Sequence, residues 1–160
     1  MSDSITPIQE PVTGREQIAD PAQPRFALAQ FYRALGARDL ALMERNWDDS
    51  PEAVMDNPLG GIRRGWAEIR QTYEALFNAA WAYSFEFWDY TLHRSGEVFW
   101  AVGRERGRLS KEGELLDLAI RTTRLFRWRE GRWRQVHHHG SIEDPQMLAR
   151  YLAEVRGGRQ

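Results

Sequence analysis

Three consecutive histidines, His137-His138-His139, are the side chains of this sequence best suited to chemistry. In an extended strand His137 and His139 share one face and His138 takes the other. Imidazole titrates near neutral pH, so either of the paired histidines can act as a general base when a carboxylate orients it. Asp56 and Asp117 are the carboxylates considered for that role. Two histidines at i, i+2 can also converge on one metal ion. No third ligand at HxH…Asp/Glu or HExxH spacing accompanies them, so the expectation is no metal and no cofactor. The competing reading is structural: histidines that pack and hydrogen-bond on a sheet surface or a subunit face.

Arg121 is the second candidate. Alternation groups Arg121, Thr123, Leu125 and Arg127 on one strand face and Thr122, Arg124, Phe126 and Trp128 on the other. Either choice of inner face buries an arginine, and a buried guanidinium needs a carboxylate. Asp56, Asp89, Asp117 or a bound carboxylate would serve, so Arg121 is either a ligand anchor or half of a structural ion pair. The third feature is aromatic richness. Trp47, Trp66, Trp81, Trp88 and Trp100, with Phe85, Phe87 and Tyr90, suit a pocket lining for a ring-bearing ligand or a subunit interface. Alternation puts Phe85, Phe87 and Asp89 together, opposite Ser84, Glu86, Trp88 and Tyr90.

Composition narrows the classes. The chain has 160 residues, no cysteine and a net charge of −1. Thiolate chemistry, thiolate-bound metal and disulfide scaffolds are excluded, and no global field recruits nucleic acid or a membrane. Arg104, Arg106 and Arg108 alternate, but Glu105, Glu112 and Glu114 interleave with them, which describes a solvated, salt-bridged face. No long apolar run and no signal-like start are present, so the expected compartment is the cytoplasm.

These residues need elements to position them. Pro7, Pro11, Gly14, Pro21 and Pro24 mark residues 1–24 as a flexible arm, or one that wraps a partner subunit. A single domain is expected over 25–156, with 157–160 a tail. Phe26, Ala27, Gln30, Phe31 and Ala34 predict a helix stopped at Gly36, and Asp39 caps a second helix through Asn46. Ala53–Asp56 reads as a short strand, and Gly65–Asn78 as a third helix. Four strands follow over Tyr83–Leu92, Val98–Arg108, Leu115–Trp128 and Trp133–Ser141. Asp144-Pro145 starts a last helix. The class is α+β: three helices, a curved and mostly antiparallel sheet, and a C-terminal helix forming a conical roll.

That order over residues 25–155 resembles the nuclear transport factor 2-like superfamily. The segment Ala53-Val54-Met55-Asp56-Asn57-Pro58-Leu59-Gly60, with Arg64-Gly65 and Ala67-Glu68-Ile69-Arg70, is similar to steroid Δ-isomerases. The run Arg121-Thr122-Thr123, Phe126-Arg127, Gly131-Arg132-Trp133 and His137–Ser141 resembles SnoaL-like and calmodulin-kinase II association-domain-like proteins. The resemblance implies a pocket inside the cone. Steroid isomerases carry a proton-shuttling Asp where this chain has Asn57, a first-helix Tyr where it has Phe31, and an acid near Thr122 or Arg124. Tyr32 lies about 100° around the helix from Phe31.

Three functions stay open. One is a homodimer binding a small, largely apolar or carboxylate-bearing ligand, with Asn57, Tyr32, Trp47, Trp66, Trp88, Trp100 and Arg121 as binding residues. The second is a cofactor-independent isomerase, dehydratase or cyclase in which His137 or His139 with Asp56 moves a proton alpha to a carbonyl. The third is an oligomerisation module without turnover. Neither nucleic acid nor membrane is an expected partner.

Overall fold

Helix α1 (Pro24–Ala37) starts on a proline, whose missing N–H costs nothing in a first turn, and ends at Arg38 in the left-handed conformation. It runs past the expected stop at Gly36 because the glycine keeps helical geometry and Arg38 makes the cap. Asp39 then caps α2 (Leu40–Asn46), accepting from the Leu42 N–H at 2.9 Å. Strand β1 (Val54–Asp56) leads through the Asn57–Gly61 turn to a two-residue strand β2 (Arg63–Arg64) and to α3 (Gly65–Phe77). Strand β2 is too short to leave a periodicity in the sequence. The computed structural model describes residues 5–157.

The remaining chain is β3 (Ala82–Ser95), β4 (Val98–Lys111), β5 (Glu114–Arg129), β6 (Arg132–Ser141) and α4 (Pro145–Gly157). The expected tail begins at Gly157, the last residue of α4, and its remainder lies outside the described residues. The strands form one sheet in the order β2-β1-β6-β5-β4-β3. Every neighbouring pair is antiparallel except β1 and β6, which run parallel. The fold is thus the expected α+β conical roll, with four helices and six strands among the described residues. No helix is long and apolar enough to cross a membrane.

One sheet face carries the core. Phe87, Tyr90, Phe99, Ala101, Phe126 and Trp133 pack there against Leu28, Phe31 and Tyr32 of α1, Met43 of α2, and Ile69 and Tyr73 of α3. A second cluster of Leu109, Leu116, Leu118 and Ile120 receives Met147, Leu148 and Tyr151 of α4. Two bulges break strict alternation. Between Trp88 and Thr91 the β3 register shifts, with Asp89 at φ 46°. The extra residue returns Tyr90 to the inner face beside Phe87, where simple alternation had placed it opposite. A second shift between Leu125 and Phe126 reaims β6 upstream of the histidines.

The N-terminal segment, expected as a free or partner-wrapping arm, is strapped to its own domain over the described residues. Ile8 and Val12 form backbone bridges to Tyr90 and Phe87 on the β3 edge, and Val12 is 0% exposed. Arg33 of α1 donates to the carbonyls of Gly14 and Glu16 at 2.9 and 2.7 Å. Gly14, at φ +88°, lets the strap lie against α1, because a Cβ there would sit 2.4 Å from the Arg33 nitrogen. The strap also covers an otherwise unpaired sheet edge.

Candidate functional site

The inner face settles which arginine is buried. Arg124 is 1% exposed, and its Nη2 donates to Glu105 Oε1 at 2.5 Å. Nη1 donates to Gln135 Oε1 at 2.7 Å, and Tyr32 Oη donates to the same Glu105 oxygen at 2.7 Å. Gln135 donates onward to Asn46 at 3.4 Å, and Asn46 donates to the Ala27 carbonyl at 2.9 Å. The guanidinium carbon lies 3.6 Å from the Phe31 ring centroid, a cation–π stack that also seals it from water. The helices and the sheet are thereby joined through one charged, fully hydrogen-bonded cluster. Alternation carried the signal for it: with Arg104, Arg106 and Arg108 pointing outward, Glu105 has to point inward.

Burial pushes the Tyr32 phenol well above its ordinary range, and the Arg124 guanidinium is held charged by Tyr32 and Glu105 despite its burial. Burial likewise pushes Tyr73 up to about 12. A phenol that holds its proton more tightly in the folded chain stabilises the fold fully below pH 10. That contribution is lost as pH rises toward the folded value. Resistance to urea should therefore fall between pH 10 and 12, and Tyr73→Phe should remove about 3 kcal/mol of that alkaline loss. Equal alkaline slopes for the two proteins would contradict this.

The other sheet face is covered by no helix among the described residues, and most of the expected site residues lie on it. Arg121 does not enter the cone. It pairs with Glu143 at 3.4 Å, and Arg104 reaches the same carboxylate at 3.2 Å. None of the three aspartates considered for Arg121 is its partner. Arg104 also meets Asp89, Arg106 meets Glu86, and Arg108 meets Asp117 at 2.6 Å, so the face is salt-bridged as expected, but by acids of the neighbouring strands rather than by Glu105, Glu112 or Glu114. Trp88 lies under Arg106, and Trp100 stacks on His93 at 5.3 Å. These two tryptophans are therefore outside the cone, contrary to the expected pocket lining, because their strand parity opposes that of the core residues Phe87 and Phe99.

His137, His139 and Asp56 also meet on this outer face. Parallel pairing sets Val54 opposite His137 and Asp56 opposite His139. Asp56 Oδ2 lies 3.2 Å from His139 Nδ1, and Oδ1 lies 3.7 Å from His137 Nε2. Asp56 and the two histidines are thus neighbours on the outer face. Asp117, the other carboxylate considered, is engaged by Arg108. His138 points inward, and burial, then the Arg124 charge, lower its pKa well below the ordinary value.

The remaining expected residues divide. Trp47 is wholly enclosed core, and Trp66 is buried with Nε1 donating to Glu44 at 3.0 Å. Asn57 turns its Oδ1 back to accept from the Leu59 N–H at 3.1 Å, a local turn contact. Tyr32 alone of the expected binding residues contributes to the lining of an open groove, from beneath, with its side chain buried. The groove, of about 660 Å³, runs between the strap and the free end of the sheet. Tyr32 and Gly36 of α1, Thr13 and Arg15 of the strap, Tyr83 to Glu86, Arg106 to Arg108, Asp117 and Leu118 line it. The groove escaped sequence reasoning because Thr13 and Arg15, which close one side of it, belong to a proline-rich segment with no periodicity to place it.

A bent sheet wrapped on helices around a polar inner cluster defines the chain as a nuclear transport factor 2-like, cystatin-like roll. Residues 25–145 match the family model of the SnoaL-like domain, and the chain belongs to that family. Solved structures with the same fold include a candidate dehydratase of the nuclear transport factor 2-like family from Streptomyces avermitilis. It is 19% identical with TM-score 0.70, and the match covers 77% of this chain and 95% of that one. A candidate calcium/calmodulin-dependent protein kinase type II association domain from Thiobacillus denitrificans is 24% identical, with TM-score 0.64 and 80% and 100% of the chains covered. A ketosteroid isomerase-like protein from Erwinia carotovora atroseptica is 16% identical, with TM-score 0.65 and 81% and 100% covered. Among curated proteins, an F-box protein of Arabidopsis thaliana, SKIP8, is 27% identical over 122 residues. That match takes in 74% of this chain, which spans about half the length of the curated relative.

Proposed function

We propose that the protein binds a small carboxylate-bearing molecule with an aromatic or apolar body in the groove beside the strap, and that it works as a homodimer. The observation that carries the binding reading is the groove's composition. Tyr83 and Phe85, both half-buried, offer ring surface, while Arg15 has no ion-pair partner among the described residues. A guanidinium free to meet a carboxylate at the rim of an aromatic trough matches that ligand chemistry. The groove replaces the deep cone as the binding place, since the cone's interior is filled by the Arg124 network and the core aromatics.

The homodimer is supported by the outer sheet face. Val102 exposes 43% of its surface there, beside the half-buried Trp88, Trp100 and Leu125, and Leu115 exposes 59% at the far end of β5. The β3 edge is occupied by the strap and the β2 edge is two residues long, which favours face-to-face packing of two sheets. One structural relative is itself described as an association domain. A proton shuttle between His139 and Asp56 is disfavoured as the groove's chemistry, because neither residue lines the groove.

The test of the binding reading is a thermal-shift screen of arylacetic, cinnamic and indole carboxylic acids. At least one acid is expected to raise the melting temperature of the protein while its methyl ester does not. The same acid should have lost its effect on Arg15→Ala and on Phe85→Ser. No stabilisation by any acid, or equal stabilisation of the variants, overturns it.

A further inference from the structure

We propose that Asp56, His137 and His139 form a site for a divalent transition-metal ion of the borderline class, Zn²⁺, Co²⁺ or Ni²⁺. The sequence supplies two imidazoles at i, i+2 and no third ligand at a recognised spacing. The fold supplies the third, since β1 runs parallel beside β6 and sets Asp56 at the register position of His139. One oxygen or nitrogen from each residue lies within 4.8 Å of the others. Ligand atoms of a tetrahedral zinc ion stand about 3.3 Å apart, from bonds of about 2.0–2.1 Å. The 3.7 Å and 3.2 Å separations run to different Asp56 oxygens, so closing the set on one ion takes side-chain rotation at the partly exposed Asp56 and the exposed His139.

The hydrogen bonds around the cluster favour a cation within it. His137 Nδ1 lies 3.0 Å from the Val54 carbonyl oxygen, which can only accept. The proton of neutral His137 is thereby fixed on Nδ1, and the Nε2 lone pair is turned toward Asp56. Such a backbone contact is what holds a ligating imidazole in its tautomer in metal sites. Asp56 Oδ1, the oxygen nearest Nε2, is shielded from solvent and has no hydrogen-bond partner. A lone pair therefore faces a carboxylate oxygen across 3.7 Å with nothing donated between them, and an ion bound there satisfies both. Two imidazole donors to one carboxylate select zinc, cobalt or nickel over magnesium or calcium. His139 is 55% exposed, so the remaining coordination positions open to solvent. This site shares no residue with the groove, and its outcome is independent of the ligand-binding reading.

The experiment uses the full chain without an affinity tag, freed of metal by chelator dialysis, and titrates it calorimetrically with Zn²⁺. Cobalt(II) serves as a spectroscopic probe in parallel. One ion per chain is expected, with visible cobalt absorption of a four- or five-coordinate centre. His139→Gln and Asp56→Asn, both changes at partly exposed side chains, should each weaken binding about ten-fold or more while leaving the far-ultraviolet circular dichroism unchanged. His93→Gln, altering a histidine on the same face outside the cluster, should bind as the parent does. Absence of saturable zinc binding overturns the proposal, as does binding that survives in the His137→Ala/His139→Gln double variant.

Discussion

Replacing Glu105 with alanine is expected to destabilise the fold by about 3–5 kcal/mol, the range for removing one partner of a buried ion pair. For a chain of this size that corresponds to a fall in melting temperature of roughly 10 °C. The cause is the charge left behind. Arg124 keeps its bonds to Gln135 and its stack on Phe31, but it loses the carboxylate that offsets its desolvation. Tyr32 loses its acceptor in the same step. Urea unfolding of the variant measures the loss. The double change Glu105→Leu with Arg124→Met should recover most of it, since a buried pair can give way to apolar residues at little net cost. A single variant within about 1 kcal/mol of the parent would mean that the pair does not hold the cone together.

The second large effect is expected at the outer face. The parent protein should sediment at a two-chain mass, and Trp100→Glu with Val102→Glu should raise the dimer dissociation constant about 100-fold or more, as for loss of a central interface anchor. Both side chains belong to the face that no helix covers, and within the monomer Trp100 stacks only on His93 among the rings, so the fold depends little on their apolar surface. Circular dichroism and urea midpoint should be nearly unchanged when compared at matched monomer concentration. A single-chain mass for the parent, or an unaltered dimer in the variant, contradicts the arrangement.

The fold was legible because its signals are local. Asp39 and Asp144-Pro145 mark helix starts by backbone hydrogen bonding, and the long strands carry a period of two wherever no bulge intervenes. The same period correctly divided His137 and His139 from His138, and Arg124 from Arg121. It went astray at Tyr90, where one left-handed residue at Asp89 reverses the parity. Which face is inner depends on where the helices land, and that choice moved Arg121, Trp88 and Trp100 out of the cone together. Glu105 illustrates the converse. It was read as one acid among several on a solvated strand, although its own parity turns it against Arg124. The meeting of Asp56 with His137 and His139 depends on strand order, because residues more than 80 positions apart become neighbours through one parallel pairing. The groove was hidden for a similar reason, one side of it being closed by Thr13 and Arg15 of an arm whose docking no sequence pattern announces.

The central claim, that the ligand sits beside the strap rather than in the cone or on the histidine face, is tested most directly by amide chemical-shift mapping. ¹⁵N-labelled protein would be titrated with the most stabilising acid from the screen. The account predicts perturbations gathered at Thr13, Arg15, Tyr83 to Glu86 and Arg106 to Arg108, with little change at Val54 to Asp56 or His137 to His139. Perturbations centred on the histidine strand, or spread over the core around Trp47 and Trp66, would contradict it.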